Sequence, residues 1–437
     1  MESQTIGYIF LLVMIIMLLS GVHLAITLWL VGFVGYLSIA GISQALTIMG
    51  TIPFGETNIY SFTTLPLFII MGTFAYSSGI AEAAYNALYK WVNKLPGGLG
   101  VATCLGCAFF GAVSGSTTAA AAVFSKLSFP AMMRYNYDRR FAVGTIASAG
   151  TFASLIPPSG LLIVYAILTE GSVAKLFMAG LIPGLITMLL YSLFIIGRVL
   201  WNPKLAPRSK EHFTWREKVT SLPSLLPILF LFSLVMGGLY FGVFTPTEGG
   251  AVGALGALII GMIAKRKILD VTYLDGLKEA SHITAMILLI IIGAMMLSRF
   301  LAISRIPTML AETVGQLPVS PEAIMFIFVL MYFLMGMVVS ATGMMAVTLP
   351  VIAPLVVNLG YDLVWFGIVM IKLCEIAVVT PPVGVNLYAV KGVLGDKVSL
   401  EDIALGIYPF IVCDLAVLIL IIFFPQIVLF LPNMLFS

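Results

Sequence analysis

Charge is scarce in this chain: Asp, Glu, Lys and Arg make up 9% of its 437 residues, against about 25% in ordinary soluble proteins. With 61% hydrophobic residues, the composition excludes a soluble globular domain and requires a polytopic membrane protein. The net charge of +3 is too small for a nucleic-acid binder, so no nucleic-acid partner is expected. Cysteine is almost as sparse. Cys104, Cys107, Cys374 and Cys413 all lie in apolar runs, which argues for packed thiols rather than a disulfide framework. Cys104 and Cys107 form a CxxC, but no second pair and no nearby histidine completes a zinc or redox site. His23, His212 and His282 are scattered, and no His/Asp/Ser or His/Glu constellation forms, so neither an enzyme nor a transition-metal protein is expected. No basic segment precedes the apolar run from Ile6 to Leu19, and the run therefore reads as transmembrane structure rather than a cleaved signal.

What the chain does have is the same unusual segment twice. Ser116 to Gly160 aligns without a gap on Ser340 to Gly384, at a constant offset of 224 residues, and eleven of the 45 pairs are identical. The informative ones are Tyr137/Tyr361, Asp138/Asp362, Pro130/Pro354, Pro157/Pro381, Pro158/Pro382 and Gly160/Gly384. Duplicated apolar segments interrupted by Gly and Pro point to a secondary transporter and to its binding site.

A full helical crossing takes about 20 apolar residues. On that scale the whole spans are 5–20, 22–40, 60–79, 174–200, 223–243, 249–264, 283–300 and 402–431, the last bent near Pro425. Four stretches are too short: 100–113 and 117–130, joined by a Gly/Ser/Thr turn, and 322–338 and 344–357, joined around Ser340 to Gly343. These pairs read as re-entrant helical hairpins. Each is followed by a helix broken at a diproline, Pro157-Pro158 and Pro381-Pro382, because proline lacks the N–H the ladder needs and forces its predecessor out of the helical region. Irregular backbone at membrane depth survives only when buried in protein or lining a cavity. Four such interruptions predict one shared interior site.

Orientation follows from Lys and Arg. Arg134, Arg139 and Arg140, the 198–218 loop with six basic residues, and Lys265-Arg266-Lys267 belong in the cytoplasm by the positive-inside rule, whereas Leu355 to Trp365 has no Lys or Arg and belongs outside. The repeats are then inverted. Ala81 to Lys94 and Ile268 to His282 are amphipathic and read as interfacial helices, with plain helix extensions as the alternative. The expected division is 1–96 scaffold and interfacial helix, 97–172 first transport repeat, 173–319 scaffold and interfacial helix, 320–397 inverted second repeat, and 398–437 C-terminal helix.

A broken helix leaves carbonyls free at the end of one half and N–H groups free at the start of the next. Carbonyls with hydroxyls suit a hard monovalent cation, and N–H ends suit a carboxylate. Two Na⁺ sites are therefore expected. One uses Ser114, Gly115 and Ser116 with Ala153, Ile156, Pro157 and Pro158; the other uses Ser340, Thr342 and Gly343 with Ala377, Thr380 and Pro381. An anionic substrate between them would meet Thr117, Thr118, Ser159, Thr342 and Asn386. The competing reading is that these small residues merely permit close helix packing. Lys372 and Glu375, three apart, read as a helical ion pair, and Glu248 as a carboxylate at a helix start.

These motifs resemble the large membrane (M) subunit of tripartite ATP-independent periplasmic (TRAP) transporters. The resemblance rests on Gly115-Ser-Thr-Thr-Ala-Ala-Ala, Phe129-Pro-Ala-Met, Tyr137-Asp, Leu155-Ile-Pro-Pro-Ser, Leu181-Ile-Pro-Gly, Phe244-Thr-Pro-Thr-Glu-Gly and Glu375-Ile-Ala-Val-Val-Thr-Pro-Pro-Val-Gly-Val-Asn. It implies an all-α, inverted-repeat elevator transporter in the bacterial inner membrane. It also implies Na⁺ coupling, an organic acid substrate of the C4-dicarboxylate or sialic acid class, a periplasmic substrate-binding protein, and a small four-helix membrane subunit on a separate chain. Two alternatives stay open: a stand-alone Na⁺/dicarboxylate or anion symporter, and a channel or proton-coupled pump. The scarcity of charge within the spans weighs against the last.

Overall fold

The computed structural model describes residues 3–58, 60–209, 211–265, 271–316, 318–337, 339–381 and 384–436. Lys210, Arg266, Lys267, the 268–270 start of the second amphipathic segment, Val338, Pro382 and Val383 lie outside the described residues. Among those described, all regular structure is helical. In chain order the first half runs α1 (Ser3–Leu19), α2 (Leu24–Ala40), α3 (Ile42–Thr57), α4 (Thr64–Ser77), α5 (Ile80–Val92), α6 (Gly98–Ser114), α7 (Thr117–Arg134), α8 (Arg139–Ala149), α9 (Gly160–Leu168) and α10 (Val173–Trp201). The second half continues with α11 (Trp215–Ser221), α12 (Leu226–Tyr240), α13 (Pro246–Lys265), α14 (Val271–Ser304), α15 (Ile306–Gln316), α16 (Pro321–Gly336), α17 (Ala341–Asn358), α18 (Leu363–Val379), α19 (Val385–Leu394), α20 (Leu400–Phe423) and α21 (Pro425–Phe436). Six helical stretches are long and apolar enough to cross a membrane, or seven if the bent α4–α5 pair counts as one span; α17, expected to be too short, is among the six, whereas α1 and α2, expected to span, are 17 residues each and fall just short.

The duplication covers more than the aligned segment. Shifting α7 by the 224-residue offset lands on the bounds of α17, and α1, α2, α6 and α9 likewise fall on α12, α13, α16 and α19 within a few residues. Asp138 and Asp362, half of the shared Tyr-Asp signature, turn out to be helix caps. Asp138 accepts from Phe141 N at 2.9 Å, and Asp362 from Val364 N at 2.7 Å and Trp365 N at 3.0 Å. Each satisfies amide groups that the first turn of a broken helix would otherwise leave open.

Two hydrogen-bonded contacts fix the relative direction of the repeats. Arg140, at the start of α8, pairs with Asp402 beyond the end of α19 at 2.9 Å. At the other end, the Tyr165 hydroxyl near the end of α9 donates to the Leu363 carbonyl at the start of α18, 2.8 Å away. One broken helix therefore starts where the other finishes, and the repeats are inverted.

One expectation gives way to the alternative stated with it, a plain helix extension. The segment from Ile268 to His282 is not a separate interfacial helix; from Val271 onward it is the first part of α14, which runs unbroken to Ser304. The counterpart of α5 is instead α15, and the joints leading into the two helices match. Ser78 and Ser304 each donate to the carbonyl three residues back, at 2.7 and 2.8 Å, and each accepts from an isoleucine N–H two residues on, Ile80 and Ile306, at 3.4 Å. The residue between is left-handed in both, Gly79 (φ 79°) and Arg305 (φ 60°). At the first joint α4 and α5 meet at 65°. The helix α3 was also not anticipated. Gly50, Pro53 and Gly55 argue against a helix on propensity, and its packing against α2 and α14 overrides them.

The longest unbroken buried stretches lie in the repeats, and a second, smaller apolar cluster joins α1, α2 and α14. Residues 150–159 are all buried, as is every residue of α18 from Trp365 to Val379. By contrast, α1, α12 and α13 present large apolar side chains outward, among them Leu12, Leu19, Phe230 and Ile263, as a lipid-facing layer requires.

Candidate functional site

The turn of each hairpin is built by a serine cap. Gly115 ends α6 in the left-handed conformation (φ 60°) with its N–H on the Gly111 carbonyl, and Ser116 then caps α7 by accepting from Ala119 N at 3.3 Å. In the second hairpin Ser340 caps α17 by accepting from Gly343 N at 3.3 Å. Both tips come against the breaks at the same place. A Cβ added to Gly111 would lie 2.9 Å from Ala153 Cα, and one added to Gly336 would overlap Ala377 Cβ. Only glycine allows that approach. Across the first centre the tip and break also share a hydrogen bond, Gly160 N to Gly115 O at 3.3 Å, and a Cβ on Gly115 would meet the Pro158 carbonyl at 2.8 Å.

The first break is closed by its own hydroxyls. The 3-10 turn Gly150–Ser154 follows α8, the Pro157-Pro158 bond is cis, and Ser159 caps α9 by accepting from Leu162 N at 3.4 Å. The Ser159 hydroxyl in turn donates to the Ser154 carbonyl at 2.5 Å. Ser114 is buried with no hydrogen-bond partner for its hydroxyl, at the tip where a cation was expected. Thr117 is buried at the start of α7, and Thr118 is exposed.

At the second break, Thr380 ends α18. Its hydroxyl donates to the Ile376 carbonyl at 2.6 Å, and its carbonyl accepts from Gly384 N at 3.0 Å. Pro381 is half-buried, Thr342 is half-buried and Ser340 is exposed, so this centre is the more open of the two. Asn386 is fully buried. Its Nδ2 donates to the Ala147 carbonyl of the first repeat at 3.2 Å, and its Oδ1 has no partner.

Between the centres lies an ion cluster of which the sequence disclosed only a part. The pairing of Lys372 with Glu375 holds, at 2.7 Å, but Lys372 also reaches Asp414 at 2.7 Å and Thr187 at 3.2 Å. The Tyr191 hydroxyl donates to Asp414 at 2.6 Å, and the Ser154 hydroxyl to Glu375 at 2.8 Å. All three charged side chains are fully buried. Asp414 was legible in principle, as the one charge within the apolar run from Ile403 to Phe424; Ser154, Thr187 and Tyr191 carried no such signal. Glu248 does what its position implied: it accepts from Thr245 N at 2.8 Å while Thr245 accepts from Glu248 N at 3.3 Å, a reciprocal cap on α13. All four cysteines are buried free thiols, and no group of His, Cys, Asp and Glu suited to a metal occurs among the described residues.

A crevice of about 570 Å³ opens beside the first hairpin, lined by Thr73, Tyr76 and Glu82 of the α4–α5 arm, Lys126 of α7, and Asp275 and Glu279 of α14.

Residues 11–427 match the family described as "Tripartite ATP-independent periplasmic transporter, DctM component". Similar characterised proteins include the C4-dicarboxylate TRAP transporter large permease protein DctM of Pseudomonas aeruginosa, 32% identical over 90% of this chain and 93% of that protein. The isethionate TRAP transporter permease protein DctMQ of Oleidesulfovibrio alaskensis is 31% identical over 94% of this chain. This chain spans 64% of the length of that relative. Among solved structures, the YdaH transporter of Alcanivorax borkumensis shares the fold with a TM-score of 0.61 at 13% identity, over 88% of this chain and 89% of that one.

Proposed function

Since the chain belongs to the DctM family of TRAP transporters, as a large permease and not an enzyme, we propose that it carries out Na⁺-coupled import of an organic acid across the bacterial inner membrane. A periplasmic binding protein delivers the substrate, and a small membrane subunit completes the permease. The observation that carries this reading is the matched pair of contacts, Gly111 on Ala153 and Gly336 on Ala377, which holds a hydroxyl-bearing tip against a helix break in each of two inverted repeats.

Each centre then offers what a cation and an anion need. Break carbonyls and the hydroxyls of Ser114, Ser116 and Thr342 supply hard oxygen ligands. The N-termini of α7, α9, α17 and α19 supply amide groups and the positive ends of helix dipoles for a carboxylate or sulfonate. Thr117, Thr118, Ser159 and Asn386 stand at or near those N-termini. The two named relatives carry a dicarboxylate and a sulfonate by their descriptions, which supports an anionic substrate and leaves its identity within the organic acids.

The moving unit consists of the hairpins and broken helices. It slides as a body past a scaffold of α1, α2, α4 and α12–α14, in an elevator motion. The helix α10, expected among the scaffold helices, belongs with the moving unit in this proposal, because Thr187 and Tyr191 tie it to Lys372 and Asp414. Reconstitution of the chain with its small subunit and binding protein tests the coupling. Accumulation is expected under an inward Na⁺ gradient; uptake at full rate with choline in place of Na⁺ contradicts it.

A further inference from the structure

The buried ion cluster touches both repeats. Lys372 and Glu375 sit one turn apart on α18, which leads into the second break, and Ser154 belongs to the turn that leads into the first. At the equivalent positions of the first repeat stand Ser148 and Thr151, so the device occurs once, and its acid reaches across to the other repeat. Lys372 uses its three donors on Thr187, Glu375 and Asp414. Every carboxylate oxygen is engaged as well, Glu375 by Ser154 and Lys372, and Asp414 by Lys372 and Tyr191. Buried charge is costly in a membrane interior, and apolar residues of the same volume would hold the helices together as well. What the cluster adds is fixed direction, since hydrogen bonds set the depth and rotation of α18 against segment 150–154. Glu375 lies two residues before Ala377, and Ser154 two before Ile156, so each end of the link adjoins the backbone that forms a cation centre.

We propose that Glu375 is a positioning residue that joins the two breaks into one unit through Ser154, so that occupancy of one cation centre shapes the other. The proposal rests on the sodium reading for its functional consequence, and two measurements keep the two apart. The first is the sodium dependence of uptake by the reconstituted complex. Ser154→Ala and Glu375→Leu cut the link at either end. Their uptake curves against Na⁺ should lose steepness, with a Hill coefficient falling toward one, and half-saturation should rise about tenfold, the size of one lost hydrogen bond to a charged group. Glu375→Gln should restore both, because its carbonyl can face Lys372 while its amide donates to Ser154, whose hydroxyl then turns to the Thr151 carbonyl 2.6 Å away. The second is amide hydrogen exchange, which needs no sodium. In Ser154→Ala, exchange should quicken at 376–380 in the other repeat as well as at 155–156. A change confined to 155–156, or Hill coefficients in both link-cutting variants equal to that of the wild type, overturns the proposal. If the wild type carries substrate without Na⁺, the sodium reading fails and the exchange result alone decides the link.

Discussion

Gly336 approaches Ala377 so closely that a Cβ on the glycine would overlap the alanine Cβ, and Gly111 stands in the same relation to Ala153, where an added Cβ would lie 2.9 Å from the alanine Cα. A methyl group at either glycine has to push the hairpin from the break. Overpacking of this kind costs about 1–3 kcal/mol, and if the displacement falls on the cation centre, sodium affinity drops roughly tenfold or more. Half-saturating Na⁺ for uptake by Gly111→Ala and Gly336→Ala measures it. Both variants should shift, since each glycine packs on the alanine that leads into a break.

The unpartnered Ser114 hydroxyl separates a ligand from a packing residue. Ser116 and Ser340 cap helices, so their loss weakens the fold by about 1 kcal/mol whatever else they do. Ser114 forms no side-chain hydrogen bond within the protein. Ser114→Ala should leave thermal stability unchanged while raising half-saturating Na⁺ about tenfold to a hundredfold, the range for a lost contact of about 1.5–3 kcal/mol to a charge. An unchanged sodium dependence assigns the residue to packing.

Sidedness follows from the basic residues and from the two contacts that set the repeats antiparallel. Arg139 at the start of α8 and Asn358 at the end of α17 are exposed and border the equivalent hairpin-to-helix connections of the two repeats, whereas Asn136 sits in the left-handed region (φ 56°) and is a poorer site for cysteine. Arg139→Cys should react with an impermeant maleimide from the cytoplasm and Asn358→Cys from outside. Reaction of both from one face removes the inverted arrangement in the membrane.

Hairpins, breaks and inversion were legible because their causes are local: Gly/Ser/Thr turns between short apolar legs, prolines without N–H groups, and uneven Lys/Arg. The joint before α15 was not, because Arg305 does the work of Gly79, and a left-handed arginine leaves no signature in a sequence. Nor was α3, whose glycines and proline argue for a loop until α2 and α14 are in place beside it. At the site, Ser116 and Ser340 entered as cation ligands and turned out to cap helices, and Asp414, a lone acid in an apolar run, was not singled out. That Asp414, Tyr191 and Ser154 converge on Lys372 and Glu375 depends on three elements far apart in the chain, which no spacing encodes.

The proposed sliding of the hairpin unit past the scaffold is tested most directly at the crevice where α14 faces α7. Glu279 and Lys126 line its two sides, one on the scaffold helix α14 and one on the first hairpin, and the four native cysteines are buried, so a Glu279→Cys, Lys126→Cys pair can be bridged selectively with a short, reducible cross-linker. With the bridge in place, the account predicts that uptake stops while Na⁺ binding persists, and that reduction restores transport. Uptake at the unbridged rate with the cross-link intact would contradict it.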